Sequence, residues 1–134
     1  MVREIKLYTD GGARGNPGPA AIGAVAFAGG KEVFRIKSKI GKATNNVAEY
    51  SALIAGLNKI SESYKNASVR CNLDSELLAK QLNGEYKVKN QKLKILFKEI
   101  VELKAQLNDV SFYHITRDKN KIADSLVNKA LDNK

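Results

Sequence analysis

The hydrophobic period of this chain changes near Val47, and that change limits the possible fold more than any other feature. Before it, apolar side chains recur at every second position: Ile5, Leu7 and Thr9 in "REIKLYT" (3–9), then Phe34, Ile36, Ser38 and Ile40 in "KEVFRIKSKI". Between them "AAIGAVAFA" (20–28) is small and apolar throughout, as suits a strand buried on both faces, and "GG" at 29 and 30 turns the chain back. From Val47 the spacing becomes three and four, through Tyr50, Ile54, Leu57 and Ser61, which describes an amphipathic helix over about 46–63. "SVRCNL" (68–73) reads as a fourth strand, and "SELLAKQLN" as a short helix ending at Gly84, a residue suited to a left-handed cap. A longer helix over about 91–107 carries the stripe Leu93, Leu96, Phe97, Ile100, Leu103 and Leu107. A strand at 110–116 and a final helix from Lys121 follow. The order βββαβααβα specifies an α/β fold: three antiparallel strands, then two that right-handed crossovers lay parallel to the first, with helices on both faces of a mixed five-stranded sheet.

At 134 residues the chain suits one domain, 1–134, and no linker, repeat or low-complexity segment divides it. No apolar run approaches the roughly 18–20 residues that span a bilayer, and "MVREIKLY" lacks the apolar core of a signal peptide. The expectation is a soluble, cytoplasmic monomer with no membrane or obligate protein partner. Cys71, the only cysteine, excludes an internal disulfide and reads as a small buried strand residue. The formal charge of +9 favours a polyanionic partner, nucleic acid first, although surface lysines also serve plain solubility.

The acids decide between those readings. Singly, each has an ordinary explanation: Asp10 follows strand one in an Asp-Gly turn, Asp74 precedes a helix it could cap, Glu49 could complete a capping box with Asn46, and Asp124 suits the dipole of the last helix. Together they carry a geometric argument. If strands one and four are parallel neighbours, Asp10 and Asp74 reach the same sheet edge about 5 Å apart, and the helices bearing Glu49 and Asp124 begin near that edge. Such like charges repel by several kcal/mol, a penalty that a divalent cation removes. All-oxygen ligands without histidine or cysteine fit Mg²⁺ or Mn²⁺, and two such ions about 4 Å apart suit phosphodiester hydrolysis.

Five segments, in order and on the matching elements, resemble type 1 ribonuclease H over essentially the whole chain: "YTDGGARGNPGPAAIG", "ATNNVAEYSALIAGL", "LDSELLAKQLNG", "YKVKN" and "ITRDKNKIADSLVNKAL". The resemblance implies endonucleolytic hydrolysis of the RNA strand of an RNA/DNA hybrid, leaving 5′-phosphate and 3′-hydroxyl ends. It implies that Asp10, Glu49, Asp74 and Asp124 ligate two Mg²⁺ ions, with Mn²⁺ as substitute. It further implies that Asn16, Asn45 and Asn46 read the minor groove and 2′-hydroxyls, that Lys42 and Thr44 grip a DNA phosphate, and that Lys89 and Asn90 touch the groove. The glycines after Asp10 would let backbone approach the RNA.

Two departures stand out. The loop "TRDKN" lacks the mobile histidine of many relatives; His114 reads as a strand residue, and Arg117, in "R-x-x-N-x-x-A-D", takes an auxiliary electrostatic role. Only "EYKVKN" stands where some relatives insert a basic helix, so hybrid affinity rests on dispersed lysines and falls steeply with salt. The rival functions are a non-catalytic hybrid or double-stranded RNA binder, against which all four acids speak, and a 3′–5′ exonuclease of related fold, which typically carries D-x-E where this chain has "YTDGGA".

Overall fold

A computed structural model describes residues 3–133. The elements are β1 (Glu4–Ala13), β2 (Gly18–Ala28), β3 (Lys31–Ala43), α1 (Asn45–Ser63), β4 (Ser68–Leu73), α2 (Glu76–Leu82), α3 (Gln91–Gln106), β5 (Asp109–His114) and α4 (Lys121–Leu131), with one 3₁₀ turn at Arg117–Lys119 before α4. The strands form one sheet in the order β3-β2-β1-β4-β5. β1 pairs antiparallel with β2 and parallel with β4, and β4 pairs parallel with β5. The expected order and strand directions are those observed.

Alternation along the strands divides the sheet into two faces. Ile5, Leu7, Val69, Cys71, Val110 and Phe112 turn to the face covered by α1 and α3, where they join Leu53, Leu57, Ile60 and Ile100 in the main core. Fully burying each large aliphatic side chain there contributes about 2 kcal/mol. α4 covers part of the opposite face, where Val127 and Ala130 pack on Ala21. Among the described residues, no helix is long and apolar enough to cross a membrane.

The first hairpin differs from the sequence-based expectation. Asp10 does not follow β1 but lies inside it, paired with Gly23, and β1 continues through Gly11 and Gly12 to Ala13. The Asp-Gly-Gly run is strand because the helices require bare backbone on both sides of it. A Cβ on Gly11 would stand 2.1 Å from the Ala48 carbonyl oxygen of α1, and one on Gly23 would stand 2.5 Å from that of Ala123 in α4. Gly11 therefore serves the approach of α1. His114 ends β5, and Gly84 follows α2 with φ +79°, both as expected.

Candidate active site

Parallel pairing of β1 with β4 ends at Thr9 opposite Leu73, so Asp10 and Asp74, one residue further along each chain, emerge at the same edge. Glu49 arrives from the first turns of α1, whose N-cap is Thr44: the Thr44 hydroxyl accepts from the Val47 N–H at 3.2 Å. That cap leaves neither Asn46 nor Glu49 in a capping box. Instead Glu49 Oε1 accepts a 2.7 Å hydrogen bond from the Gly11 N–H, a bond that the missing Cβ of Gly11 makes reachable. Ser75, not Asp74, caps α2 by accepting from Leu78 N–H at 3.1 Å, which leaves the Asp74 carboxylate to the cleft.

Carboxylate oxygens of Asp10, Glu49 and Asp74 all lie within 4.8 Å of one another. Asp124, in the first turn of α4, sits outside that triplet but close enough for its charge to act on Asp10. All four acids line one cleft of about 460 Å³, together with Asn45, Asn46 and Arg117. Asp74 is held from behind: Asn120 Nδ2 donates to Asp74 Oδ2 at 2.9 Å and to the Thr9 carbonyl at 2.8 Å. Asn120 is only 1 % exposed, so this amide joins β1, β4 and the start of α4 inside the protein.

Burial and crowding shift the titration of the group. Asp10 is raised from 3.8 to about 6, first by its own burial and then by the charges of Asp74 and Asp124. Glu49 is raised well above its usual range, again chiefly by burial, with the hydrogen bond to Asp10 and its charge adding to the effect. A crowded set of carboxylates with oxygen donors alone fits a hard divalent cation and not a zinc ion.

Of the predicted substrate contacts, Asn45 and Asn46 line the cleft, whereas Asn16, Lys42 and Thr44 are not among its lining residues. Asn45 Oδ1 accepts from Ala13 N–H at 2.8 Å, and Asn16 Oδ1 accepts from Asn45 N–H at 2.9 Å, tying the β1–β2 loop to the start of α1. Backbone donors thus fix which way both amides face, leaving each NH₂ group to point outward as a donor. Lys42 is exposed near the end of β3. Lys89 and Asn90 do not line the cleft, and Asn90 caps α3 by accepting from Leu93 N–H at 3.1 Å. Sequence reasoning named Asn120 only as a motif position; its spacing of four before Asp124, at a helix start where its side chain makes no cap, was the available signal.

Comparison with known proteins gives consistent results. Residues 8–130 match the reverse transcriptase-like family. A bifunctional protein of Mycobacterium tuberculosis is 39% identical over 132 residues, covering 96% of this chain and 36% of its own length. The chain thus spans about a third of that relative. A ribonuclease H of Hydrogenovibrio crunogenus is 33% identical over 146 residues, covering 98% of this chain and 97% of its own. The crystal structure of LC11-RNase H1 in complex with an RNA/DNA hybrid superposes with a TM-score of 0.92 at 44% identity, covering 96% of this chain and 97% of that one.

Proposed function

Because the chain belongs to the ribonuclease H family, we propose that it is an endoribonuclease that hydrolyses the RNA strand of RNA/DNA hybrids, leaving 5′-phosphate and 3′-hydroxyl ends. The observation that carries this reading is the triplet of carboxylates with oxygens within 4.8 Å, at the edge where parallel strands β1 and β4 end. The hybrid bound to LC11-RNase H1 supports the choice of substrate.

Asp10, Glu49, Asp74 and Asp124 would hold two Mg²⁺ ions, or Mn²⁺ in their place. Such ions, when bound, activate water and stabilise the leaving oxygen of a phosphodiester. The protein's own part is positioning. The Gly11 N–H fixes Glu49 and the Asn120 amide fixes Asp74, so two ligands keep their orientation before any substrate arrives. Burial raises the titration of Asp10 and Glu49, so cation binding there would compete with protons.

Asn16 and Asn45, with their oxygens tied to backbone and their NH₂ groups outward, donate to the minor-groove acceptors and 2′-hydroxyl oxygens of the hybrid, with Asn46 beside them. Lys42 and the N-terminal end of α1 around Thr44 attract a phosphate of the DNA strand. Arg117, exposed and lining the cleft, supplies positive potential near the scissile linkage, while Lys89 acts as a dispersed cation and Asn90 chiefly as a helix cap. The chain functions as one domain.

The test is a hybrid blocked at both ends, incubated with Mg²⁺ or Mn²⁺ beside an Asp10→Asn control. Internal RNA cuts that vanish in the variant support the proposal. Binding without cuts would identify a non-catalytic module, and dependence on a free 3′ end an exonuclease.

A further inference from the structure

A second cavity, of about 890 Å³, lies apart from the acidic cleft and shares none of its lining residues. It exists because α4 begins only at Lys121 and covers the Ala21–Gly23 end of the sheet, leaving the opposite end of β1 and β2 open on that face. Register sets what is exposed there: Lys6 pairs with Phe27 and Tyr8 with Val25, so these four side chains share one face. Tyr8 and Phe27 meet edge to face with ring centres 5.9 Å apart, and Ile122, 39% exposed, contributes an apolar edge from the start of α4.

The rim is basic. Arg3, Lys6, Lys119 and Lys121 face only Glu4 and Asp118, and among the described residues none of the four cations lies within ion-pairing distance of a carboxylate. Asn120, 1% exposed, borders the cavity, but its side-chain amide is turned inward, with Oδ1 buried and Nδ2 donating to the Thr9 carbonyl and Asp74.

We propose that this cavity binds a free nucleotide, with its base against the Tyr8–Phe27 pair and its phosphate among the lysines of the rim. Its volume fits a small ligand and not a folded partner. An aromatic wall beside a rim where cations outnumber acids matches a flat heterocycle joined to an anion, which neither inorganic phosphate nor a neutral ring matches alone. The 3₁₀ turn separates the two sites, with Arg117 lining the cleft and Asp118 and Lys119 lining the cavity.

The experiment is a calorimetric titration of the whole chain with adenosine 5′-monophosphate in EDTA, which keeps metal-dependent binding at the acids out of the signal. Inorganic phosphate and adenosine are the controls. The expected result is saturable binding of the nucleotide at least about tenfold tighter than of either control, weakened about tenfold or more by Lys119→Glu/Lys121→Glu and unchanged by Asp10→Asn. Both lysines are exposed, and Ile122→Glu, also at an exposed position, blocks the same mouth independently. A nucleotide that binds no tighter than phosphate, or that ignores both sets of substitutions, overturns the proposal. So does a single-stranded oligonucleotide that binds this face and is not displaced by the nucleotide.

Discussion

Asn120 reaches 2.9 Å to Asp74 across 46 residues of sequence and holds that carboxylate against the end of β1. The same NH₂ group bonds the Thr9 carbonyl at 2.8 Å, so one buried amide sets the spacing between the two strand ends that carry Asp10 and Asp74.

Asn120→Ala removes both bonds and leaves buried partners behind. We expect a loss of about 2–3 kcal/mol in urea unfolding. Cleavage of hybrid should fall about tenfold or more in kcat, with KM little changed, because the substrate-facing amides of Asn16 and Asn45 are untouched. A fall confined to KM would refute the positioning role.

The metal-free protein should lose stability as pH rises through about 6. Asp10 is raised from 3.8 to about 6 in the folded state, so the folded protein binds its proton more tightly than the unfolded chain. That contribution is complete below about 4 and is lost as pH climbs through 6, by an amount on the order of 2–3 kcal/mol. Glu49, raised in the same direction, adds to the loss. Melting curves in EDTA should show the decline for the native chain, a smaller one for Asp10→Asn, and its reversal on adding Mg²⁺.

Gly11→Ala and Gly12→Ala separate packing from turn chemistry. The added carbon at Gly11 would lie 2.1 Å from the Ala48 carbonyl, whereas at Gly12 it meets only the Val127 side chain at 3.6 Å. Gly11→Ala should cost about 3 kcal/mol or prevent folding, and Gly12→Ala should stay within about 1 kcal/mol of the native chain by thermal unfolding.

This contrast also marks what the sequence could reveal. The change of period at Val47 located every strand and helix, and parallel crossovers brought Asp10, Glu49, Asp74 and Asp124 to one rim. The position of Asp10 inside β1 was hidden, because Asp-Gly-Gly reads as a turn until α1 and α4 are known to press on Gly11 and Gly23. The sequence left the helix caps open for a related reason. Several polar residues adjoin each helix start, and only backbone dihedrals chose Thr44 over Asn46 and Ser75 over Asp74. The bond from Asn120 to Thr9 spans 111 residues and has no local signature.

Thr44→Ala and Asn90→Ala each remove a helix cap and should cost about 1 kcal/mol. Their kinetics should diverge. Thr44→Ala, at the phosphate-binding start of α1, raises KM for hybrid severalfold, while Asn90→Ala leaves it within about twofold.

Calorimetric titration of Mn²⁺ into the metal-free chain near pH 6.5, repeated in buffers of different ionisation enthalpy, tests most directly whether the acids form one cation-binding centre. The account predicts saturable binding with net release of protons, because Asp10 and Glu49 both titrate above the ordinary carboxylate range, and loss of both signals in Asp10→Asn. Absence of binding, or binding with no proton release that persists in Asp10→Asn and Asp74→Asn, would contradict it.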